Sequence, residues 1–213
     1  MLEGQKCLVI GSGISGIGAV ALLEKYHADV VLYDSSDKLT KEDLEAKLPG
    51  ESKAVCIAGE LPEEVELSIQ AAVLSPGVPT DIPLVNRMRD RGVQILGEIE
   101  LGFLAEQGRV IAITGTNGKT TTTTLTGEIM KAHFGEEKTF VVGNIGNPYT
   151  LEVTKTSKDS VTVGEISSFQ LETIHTFHPV VSAILNITPD HLNRHHTMEA
   201  YVAACQILVQ THQ

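Results

Sequence analysis

The sequence has no tryptophan and few other aromatic residues, with four tyrosines and five phenylalanines among 213 residues. Its core must therefore be built from valine, isoleucine, leucine and alanine, a composition that suits parallel strands buried on both faces. Hydrophobic residues make up 42% of the chain. This share is typical of a globular protein that is long enough for one large domain or two small ones.

Cysteine is also scarce, since the chain has only Cys7, Cys56 and Cys205. They lie far apart and are odd in number, which argues against a disulfide framework and for a reducing compartment. The first residues lack the layout of a signal peptide. The uncharged run from residue 7 to 23 is too rich in glycine and too short to span a membrane. We therefore expect a cytoplasmic protein with no membrane partner.

Basic residues are also few: the chain has 16 lysines and arginines but 27 acidic residues, which gives a net charge of -11. The basic residues are scattered and form no patch in the sequence, so we expect no nucleic-acid partner. An anionic ligand would have to be bound by local groups, such as backbone amides, a single lysine or a metal ion.

Short apolar runs alternate with segments of helical periodicity along the whole chain. The predicted strands cover residues 6–10, 29–34, 54–58, 71–75, 93–96, 109–114, 139–143, 160–166 and 180–185. The predicted helices cover residues 15–27, 82–92, 98–107, 120–133 and 198–209, with a further short helix capped by Thr40 and Asp43. This alternation predicts open parallel sheets of the α/β class, in two domains that span residues 1–97 and 98–213.

The first loop of interest, "GSGISG", places Gly11, Gly13 and Gly16 between a predicted strand and a predicted helix. This spacing lets backbone amides approach a diphosphate at the helix N-terminus. Asp34 ends the next strand about 20 residues on, where an acid can bind a ribose hydroxyl. The pattern fits NAD, but it also fits any other nucleotide diphosphate or a tight turn without a ligand. The turn at 75–77 either faces the same crevice or is an ordinary turn.

The second loop, "GTNGKT", also joins a predicted strand to a predicted helix. It differs from the commonest phosphate-binding loop, because Ile113 stands where that loop has its first glycine. Gly115 and Gly118 still allow amides to surround phosphates. Lys119 can reach the outer phosphates, and the hydroxyl of Thr120 can bind Mg²⁺. Together the two loops favour an enzyme that binds a nucleotide-linked substrate and uses ATP.

Four motifs together carry a resemblance to a known family: "GTNGKTT" (115–121), "GNIG" (143–146), "GEISSFQLE" (164–172) and "LNITPDHLNRH" (185–195). The chain resembles the Mur ligases of bacterial cell-wall synthesis. The "GEIEL" junction (97–101) and "SSFQLE" are most similar to the branch that adds D-glutamate. The resemblance implies a Rossmann-like N-terminal domain and a P-loop-type α/β ATPase central domain, which is incomplete in this chain.

The resemblance also implies a reaction. ATP phosphorylates the carboxylate of UDP-N-acetylmuramoyl-L-alanine, and the amine of D-glutamate attacks the acyl phosphate to form an amide. Because these reactants are anions, cations are needed to offset their repulsion, and two Mg²⁺ ions are implied. The product would serve peptidoglycan synthesis, and through it cell shape and cell division.

Residue roles follow from the same resemblance. It implies ATP contacts at Gly115, Thr116, Asn117, Gly118, Lys119, Thr120 and Thr121. It implies substrate contacts at Ile14, Ser15, Asp34, Ser35, Ser36, Gly77, Asn144, Ser167 and Gln170. Lys119, Glu165 and His191 are the implied catalytic residues, with one Mg²⁺ at Thr120 and Glu165 and the second at His191. Without the motifs, His191 would be interpreted as a surface histidine, and Ser168 and Gln170 as helix-capping groups.

The chain departs from the family pattern at Cys205, in "YVAAC" (201–205). The family has a lysine there, whose carbamate helps to bind the second metal ion. A neutral thiol cannot replace a carbamate, although a thiolate could bind a softer metal such as zinc. The alternative is a small apolar residue that faces the helix interior.

The second departure is length, because family members are roughly twice as long and have three domains. We expect the chain to stop within the central domain, without the D-glutamate-binding domain, and its ligase activity to be impaired. It should be a monomer, as in the family, unless apolar surface exposed by the early stop causes self-association. The alternatives are a non-catalytic fragment that binds a UDP-sugar and an NAD-dependent oxidoreductase.

Overall fold

In the computed structural model, the chain forms two compact units, of which one ends at Leu101 and the other begins at Gly102. The structure describes residues 2–210. Each unit consists of a parallel sheet whose strands are connected by helices, which confirms the predicted α/β class. The helix Glu98–Ala105 contributes residues to both units.

The first unit has a five-stranded sheet. Its strands are β1 (Lys6–Ile10), β2 (Asp29–Asp34), β3 (Val55–Ala58), β4 (Ala71–Leu74) and β5 (Gln94–Gly97). Its helices are α1 (Ile14–Lys25), α2 (Lys41–Glu45), α3 (Glu63–Ser68) and α4 (Pro83–Asp90). The strand order is β3-β2-β1-β4-β5, and all pairs are parallel. Because the order reverses between β1 and β4, a crevice is expected at their carboxyl ends.

The sequence determines several of these elements locally. Thr40 and Asp43 form the predicted reciprocal capping box at the start of α2, so that prediction is confirmed. Pro83 occupies the first turn of α4, where its missing N–H costs nothing. The central strand β1 is buried on both faces, as its run of apolar residues predicts.

The second unit has a four-stranded sheet of order β7-β8-β6-β9. It contains α5 (Glu98–Ala105) in part, β6 (Arg109–Thr114), α6 (Lys119–Phe134), β7 (Thr139–Gly143), α7 (Tyr149–Glu152), β8 (Val161–Glu165), α8 (Ser168–Leu171), β9 (Val181–Ile184), α9 (Leu192–His195) and α10 (Met198–Gln210). Short 3₁₀ turns cover Glu136–Lys138 and Val153–Lys155. The pairs are again parallel, so the residues that end β6 and β8 lie at one edge of the sheet.

The strand β9 lies at the end of this sheet order and pairs with β6. Val180, directly before this strand, and Val181 at its start are exposed. Within residues 2–210, no helix has both the length and the apolar character that crossing a bilayer requires.

Candidate functional site

The glycine-rich loop of the first unit is a tight turn that leads from β1 into α1. Gly11 has a φ of +101°, in the left-handed region, and a Cβ added at Gly16 would overlap the carbonyl oxygen of Gly11. The hydroxyl of Ser75, directly after β4, donates to the same carbonyl oxygen at 3.2 Å. Gly13 differs, because a Cβ added there would meet no heavy atom within 4 Å. Gly11 and Gly16 are thus required by the turn itself, whereas Gly13 leaves space through which a ligand could approach the backbone.

Asp34 is bound to this loop from the end of β2. Its Oδ2 accepts hydrogen bonds from the amide of Ser12 at 3.0 Å and the hydroxyl of Ser12 at 2.7 Å, and its Oδ1 accepts one from the amide of Ser36 at 3.1 Å. Partial burial of Asp34 opposes ionisation. The hydrogen bonds and the charge of Lys47 outweigh it, so the pKa lies below its ordinary value of 3.8.

Asp34 is therefore a carboxylate that fixes the loop. Both of its oxygens already accept bonds from the protein, which weakens the interpretation of Asp34 as a ribose ligand of NAD. Lys47, which the sequence reasoning missed, places its Nζ 2.9 Å from the hydroxyl of Ser12. Lys47 follows the C-terminus of α2 and brings a positive charge to the loop. No local sequence motif predicts this contact.

The other predicted substrate residues of this unit lie on the same edge of the sheet. Ile14 begins α1 with 72% of its surface exposed, and Ser15 follows it half-buried. Ser35 is exposed directly after β2, and Gly77 is exposed in the turn after β4. The structure thus gathers the predicted residues around the carboxyl ends of β1, β2 and β4.

The second loop leads from β6 into α6 and ends in a helix N-terminus. Gly118 has a φ of +82° and provides the N-cap without a side-chain hydrogen bond. The first bond of the helix runs from the amide of Thr122 to the carbonyl of Gly118. The amides of residues 119–121 precede that bond and face outward at the positive end of the helix dipole. This arrangement suits an anion such as a phosphate.

Lys119 folds back over this loop. Its Nζ donates to the carbonyl oxygens of Gly115 at 2.7 Å and Thr116 at 3.0 Å. The ammonium group of this first helical residue therefore lies against the backbone of the loop. A bound phosphate would offer it a charged acceptor, which forms a stronger hydrogen bond than a neutral carbonyl does.

Asn186, after β9, anchors the loop from outside. Its carbonyl oxygen accepts from the amide of Thr116, and its Oδ1 accepts from the amide of Asn117, both at 2.9 Å. Its Nδ2 donates to the carbonyl of Asn117 at 2.8 Å. The amides of these two predicted ATP-binding residues are thus bonded within the protein. The sequence reasoning assigned Asn186 no role, and no local spacing could have revealed it.

Glu165 ends β8 at the same edge, beside Ile113 of β6. It is 1% exposed, and its Oε1 accepts a hydrogen bond from Nδ2 of Asn144 at 2.8 Å. Within the described part of the chain, its Oε2 has no hydrogen-bond partner, and neither have the buried hydroxyls of Thr114 and Thr123. A buried carboxylate oxygen without a partner is costly. A cation beside it would remove that cost.

Ser167, Ser168 and Gln170, after β8, make hydrogen bonds within the protein. Ser167 and Gln170 form a reciprocal capping box on α8, which confirms the capping interpretation of Gln170. The same interpretation of Ser168 is wrong, because α8 begins at Ser168 and its hydroxyl contacts Nε2 of His195 at 2.8 Å instead.

His191 lies on the turn before α9, with a φ of +52° and 44% of its side chain exposed. Its Nε2 is 3.5 Å from Oδ2 of Asp190, whose Oδ1 accepts from the amide of His191, so Asp190 orders this turn. The ring of His191 lies 4.8 Å from that of Phe169 on α8. Thr120 and Thr121 are exposed in the first turn of α6.

The residues at Glu165 and His191 differ in how well they fit a metal ion. Glu165 offers an orphaned oxygen near a loop that carries hydroxyls, and Mg²⁺ prefers a few such oxygen ligands together with phosphate oxygens. Cys205 is fully buried, and burial raises its thiol pKa, so the thiol stays neutral and is a poor ligand. No cluster of three His, Cys, Asp or Glu side chains suited to a metal occurs in residues 2–210. The orphaned oxygen of Glu165 therefore fits one Mg²⁺ ion, whereas Cys205 supplies no charged ligand for a second ion.

Comparison with known proteins covers nearly the whole chain. Residues 5–97 match the family model "Mur ligase MurD-like, N-terminal domain", and residues 113–213 match "Mur ligase middle domain". A solved structure of a UDP-N-acetylmuramate:L-alanyl-gamma-D-glutamyl-meso-diaminopimelate ligase from Neisseria meningitides is similar with a TM-score of 0.57 at 15% identity, over 97% of this chain and 68% of that one. At that identity the similarity supports the fold alone.

Sequence relatives are far more similar. The chain is 59% identical over 200 residues to the UDP-N-acetylmuramoylalanine--D-glutamate ligase of Lachnospira eligens, covering 94% of this chain and 44% of that protein. It is 46% identical over 204 residues to the ligase of the same name from Clostridioides difficile, covering 95% of this chain and 45% of that protein. The chain therefore spans less than half the length of these relatives. With both of its domains matched and these identities, the chain belongs to the Mur ligase family.

Proposed function

We propose that this chain carries the nucleotide-binding machinery of an ATP-dependent ligase, which joins D-glutamate to UDP-N-acetylmuramoyl-L-alanine in peptidoglycan synthesis. The observation that carries the proposal is the second loop, where Lys119 and a helix N-terminus lie at the same sheet edge as the orphaned oxygen of Glu165. An oxidoreductase would have no use for this arrangement. The names of the relatives support the same reaction.

In this proposal the domain of residues 1–97, which makes up most of the first unit, binds the UDP part of the substrate. The diphosphate approaches the amides around Gly13, where space is open, and the ammonium of Lys47 supplies positive charge nearby. The exposed side chain of Ile14 offers an apolar surface to the nucleotide. Asp34 keeps the loop in shape, and Ser15, Ser35, Ser36 and Gly77 complete the crevice.

The proposed domain of residues 98–213, which includes the second unit, binds ATP. The phosphates accept hydrogen bonds from the amides of residues 119–121, and Lys119 exchanges the carbonyls of Gly115 and Thr116 for the outer phosphates. Asn144 holds Glu165 through Oε1, which leaves Oε2 available to a cation. His191 lies on the turn after β9, at the carboxyl edge of the same sheet, and we propose that it faces the reacting carboxylate.

Glu165 and Thr120 would hold one Mg²⁺. When bound, the ion supplies the positive charge that offsets repulsion between the phosphates and the substrate carboxylate. A second ion is not part of the proposal, because Cys205 is a buried neutral thiol. Since the reaction uses ATP and a nucleotide-activated sugar, we place the protein in the cytoplasm and expect a monomer.

A second candidate function is a module that binds the UDP-sugar without catalysis. The observation that favours it is again Cys205, whose thiol is buried and neutral and so supplies no charged ligand. The two candidates share the chemistry of the first unit. They differ in whether Mg²⁺ strengthens the binding of ATP.

Replacing Glu165 by glutamine tests that difference. Because Oε2 has no partner in the free protein, the variant should be at least as stable as the unmodified chain. Mg²⁺ should tighten ATP binding to the unmodified chain by about tenfold and leave binding to Glu165→Gln unchanged, because the variant lacks the anionic ligand. Calorimetric titration with ATP, in Mg²⁺ and in EDTA, measures both.

Glu152→Gln is the matched control. Glu152 is also a buried carboxylate of the second unit, but both of its oxygens contact Lys155 and one accepts from Asn147. Its replacement should lower stability and keep the response to Mg²⁺. An equal response in Glu165→Gln and the unmodified chain would contradict the proposed metal site. No ATP binding by the unmodified chain would contradict the ATP-binding role as a whole.

A further inference from the structure

The side chain of Thr116 is the point where the phosphate loop meets two other segments. Its Oγ1 accepts from the amide of Thr188 at 2.9 Å and lies 3.1 Å from the carbonyl oxygen of Thr188. It also lies 3.0 Å from the hydroxyl of Tyr201 on α10. A hydroxyl has one proton and two lone pairs, so Thr116 can satisfy all three contacts together.

Tyr201 is only 2% exposed, although it carries a polar hydroxyl. A buried phenol needs a hydrogen-bond partner, and Thr116 supplies one. Burial raises the pKa of Tyr201, which keeps its proton in place. The thiol of Cys205, one helical turn along α10, interacts with the same hydroxyl. The buried side chain of Tyr201 thus connects α10 to the loop through its hydroxyl.

The ring of Tyr201 is fixed from its other side. Its centroid lies 5.3 Å from that of His195, whose Nε2 contacts the hydroxyl of Ser168 at 2.8 Å. Ser168 begins α8, three residues after Glu165. The ring is therefore restrained by His195 of α9, which is held in turn by Ser168 of α8. This restraint keeps the hydroxyl of Tyr201 in one position beside Thr116.

We propose that Tyr201 is a positioning residue for the phosphate loop, and that its hydroxyl holds Thr116 so that the loop backbone and the amides of residues 119–121 are in place before ATP binds. This inference rests on the proposed ATP-binding function of the second unit. Asn186 fixes the loop backbone to the segment after β9, whereas Tyr201 fixes it to α10. Such alignment in the free protein reduces the ordering cost of binding.

Tyr201→Phe tests the inference, because it removes the hydroxyl and keeps the ring. Amide hydrogen exchange across residues 115–119 should accelerate in the absence of nucleotide. The affinity for ATP should fall about fivefold, the loss expected for one net hydrogen bond. Adding Tyr201→Phe to Thr116→Val should change neither quantity further, because both substitutions break the same contact.

Tyr149→Phe is the control for general destabilisation. Tyr149 is equally buried in the same unit, and its hydroxyl donates to Oε2 of Glu106 at 2.8 Å, away from the loop. It should lower thermal stability comparably and leave loop exchange and ATP affinity unchanged. Equal loop exchange in the two variants, or additive effects with Thr116→Val, would overturn the inference. If the unmodified chain failed to bind ATP, the proposed function would fail, while the exchange data would still decide the role of Tyr201.

Discussion

Replacing Gly16 by alanine should lower the free energy of unfolding by about 3 kcal/mol, because overpacking against rigid backbone is relieved only by moving it. The added Cβ would overlap the carbonyl oxygen of Gly11 and lie 3.1 Å from Oγ of Ser75. Neither neighbour can easily withdraw, since Gly11 and Ser75 each directly follow a buried strand. With the turn displaced, binding of UDP-N-acetylmuramoyl-L-alanine should be lost. Chemical denaturation and calorimetry measure the two effects.

Gly13→Ala separates the two roles of the loop. Gly13 has a φ of -76°, which alanine adopts freely, and an added Cβ meets no protein atom within 4 Å. Its stability should change by less than about 0.5 kcal/mol. The methyl group would nevertheless obstruct the approach of a diphosphate to the backbone and weaken substrate binding. Equal losses of stability in the two variants would show that this description of the turn is wrong.

Lys119→Met should weaken the binding of ATP by about 100-fold, because it removes a cation from the outer phosphates and the charge-assisted hydrogen bonds that it donates. Binding of AMP, which has no outer phosphates, should hardly change. The stability of the free chain should also be little affected, since Lys119 contacts only loop carbonyls there. Titration of the variant with ATP and with AMP measures this discrimination.

Lys131→Met is the control, because Lys131 lies on the same helix and forms a surface ion pair with Glu128 at 2.9 Å. Such pairs contribute little to stability. The variant should bind ATP as the unmodified chain does. If Lys119→Met kept its preference for ATP over AMP, the second loop would not be a triphosphate site.

The sequence was sufficient to predict the features whose signals are local. Each predicted strand is present within two residues of its predicted bounds, because short runs rich in valine and isoleucine between helical segments are typical of the strands of parallel sheets. The two glycine loops lie at strand–helix turns, since positive φ and close backbone approach exclude other residues. Thr40 and Asp43 meet three residues apart, which is why their capping box was also predictable.

Contacts between distant segments were not predictable. Asn186 and Tyr201 reach the second loop across 69 and 85 residues, and no periodicity links such positions. The helices α7, α8 and α9 have four residues each, which is too short to show a helical period. Asp34 was predicted at its observed place, but its bonds to Ser12 depend on how two neighbouring strands end.

The central claim is that the first glycine loop serves a UDP-sugar, in a chain whose second loop serves ATP. The most direct test is a calorimetric titration of this chain with UDP-N-acetylmuramoyl-L-alanine, repeated in the presence of NAD. We expect saturable binding that NAD leaves unchanged, because Asp34 is engaged by Ser12 and Ser36. Displacement of the UDP-sugar by NAD, or no binding of the UDP-sugar, would contradict the claim.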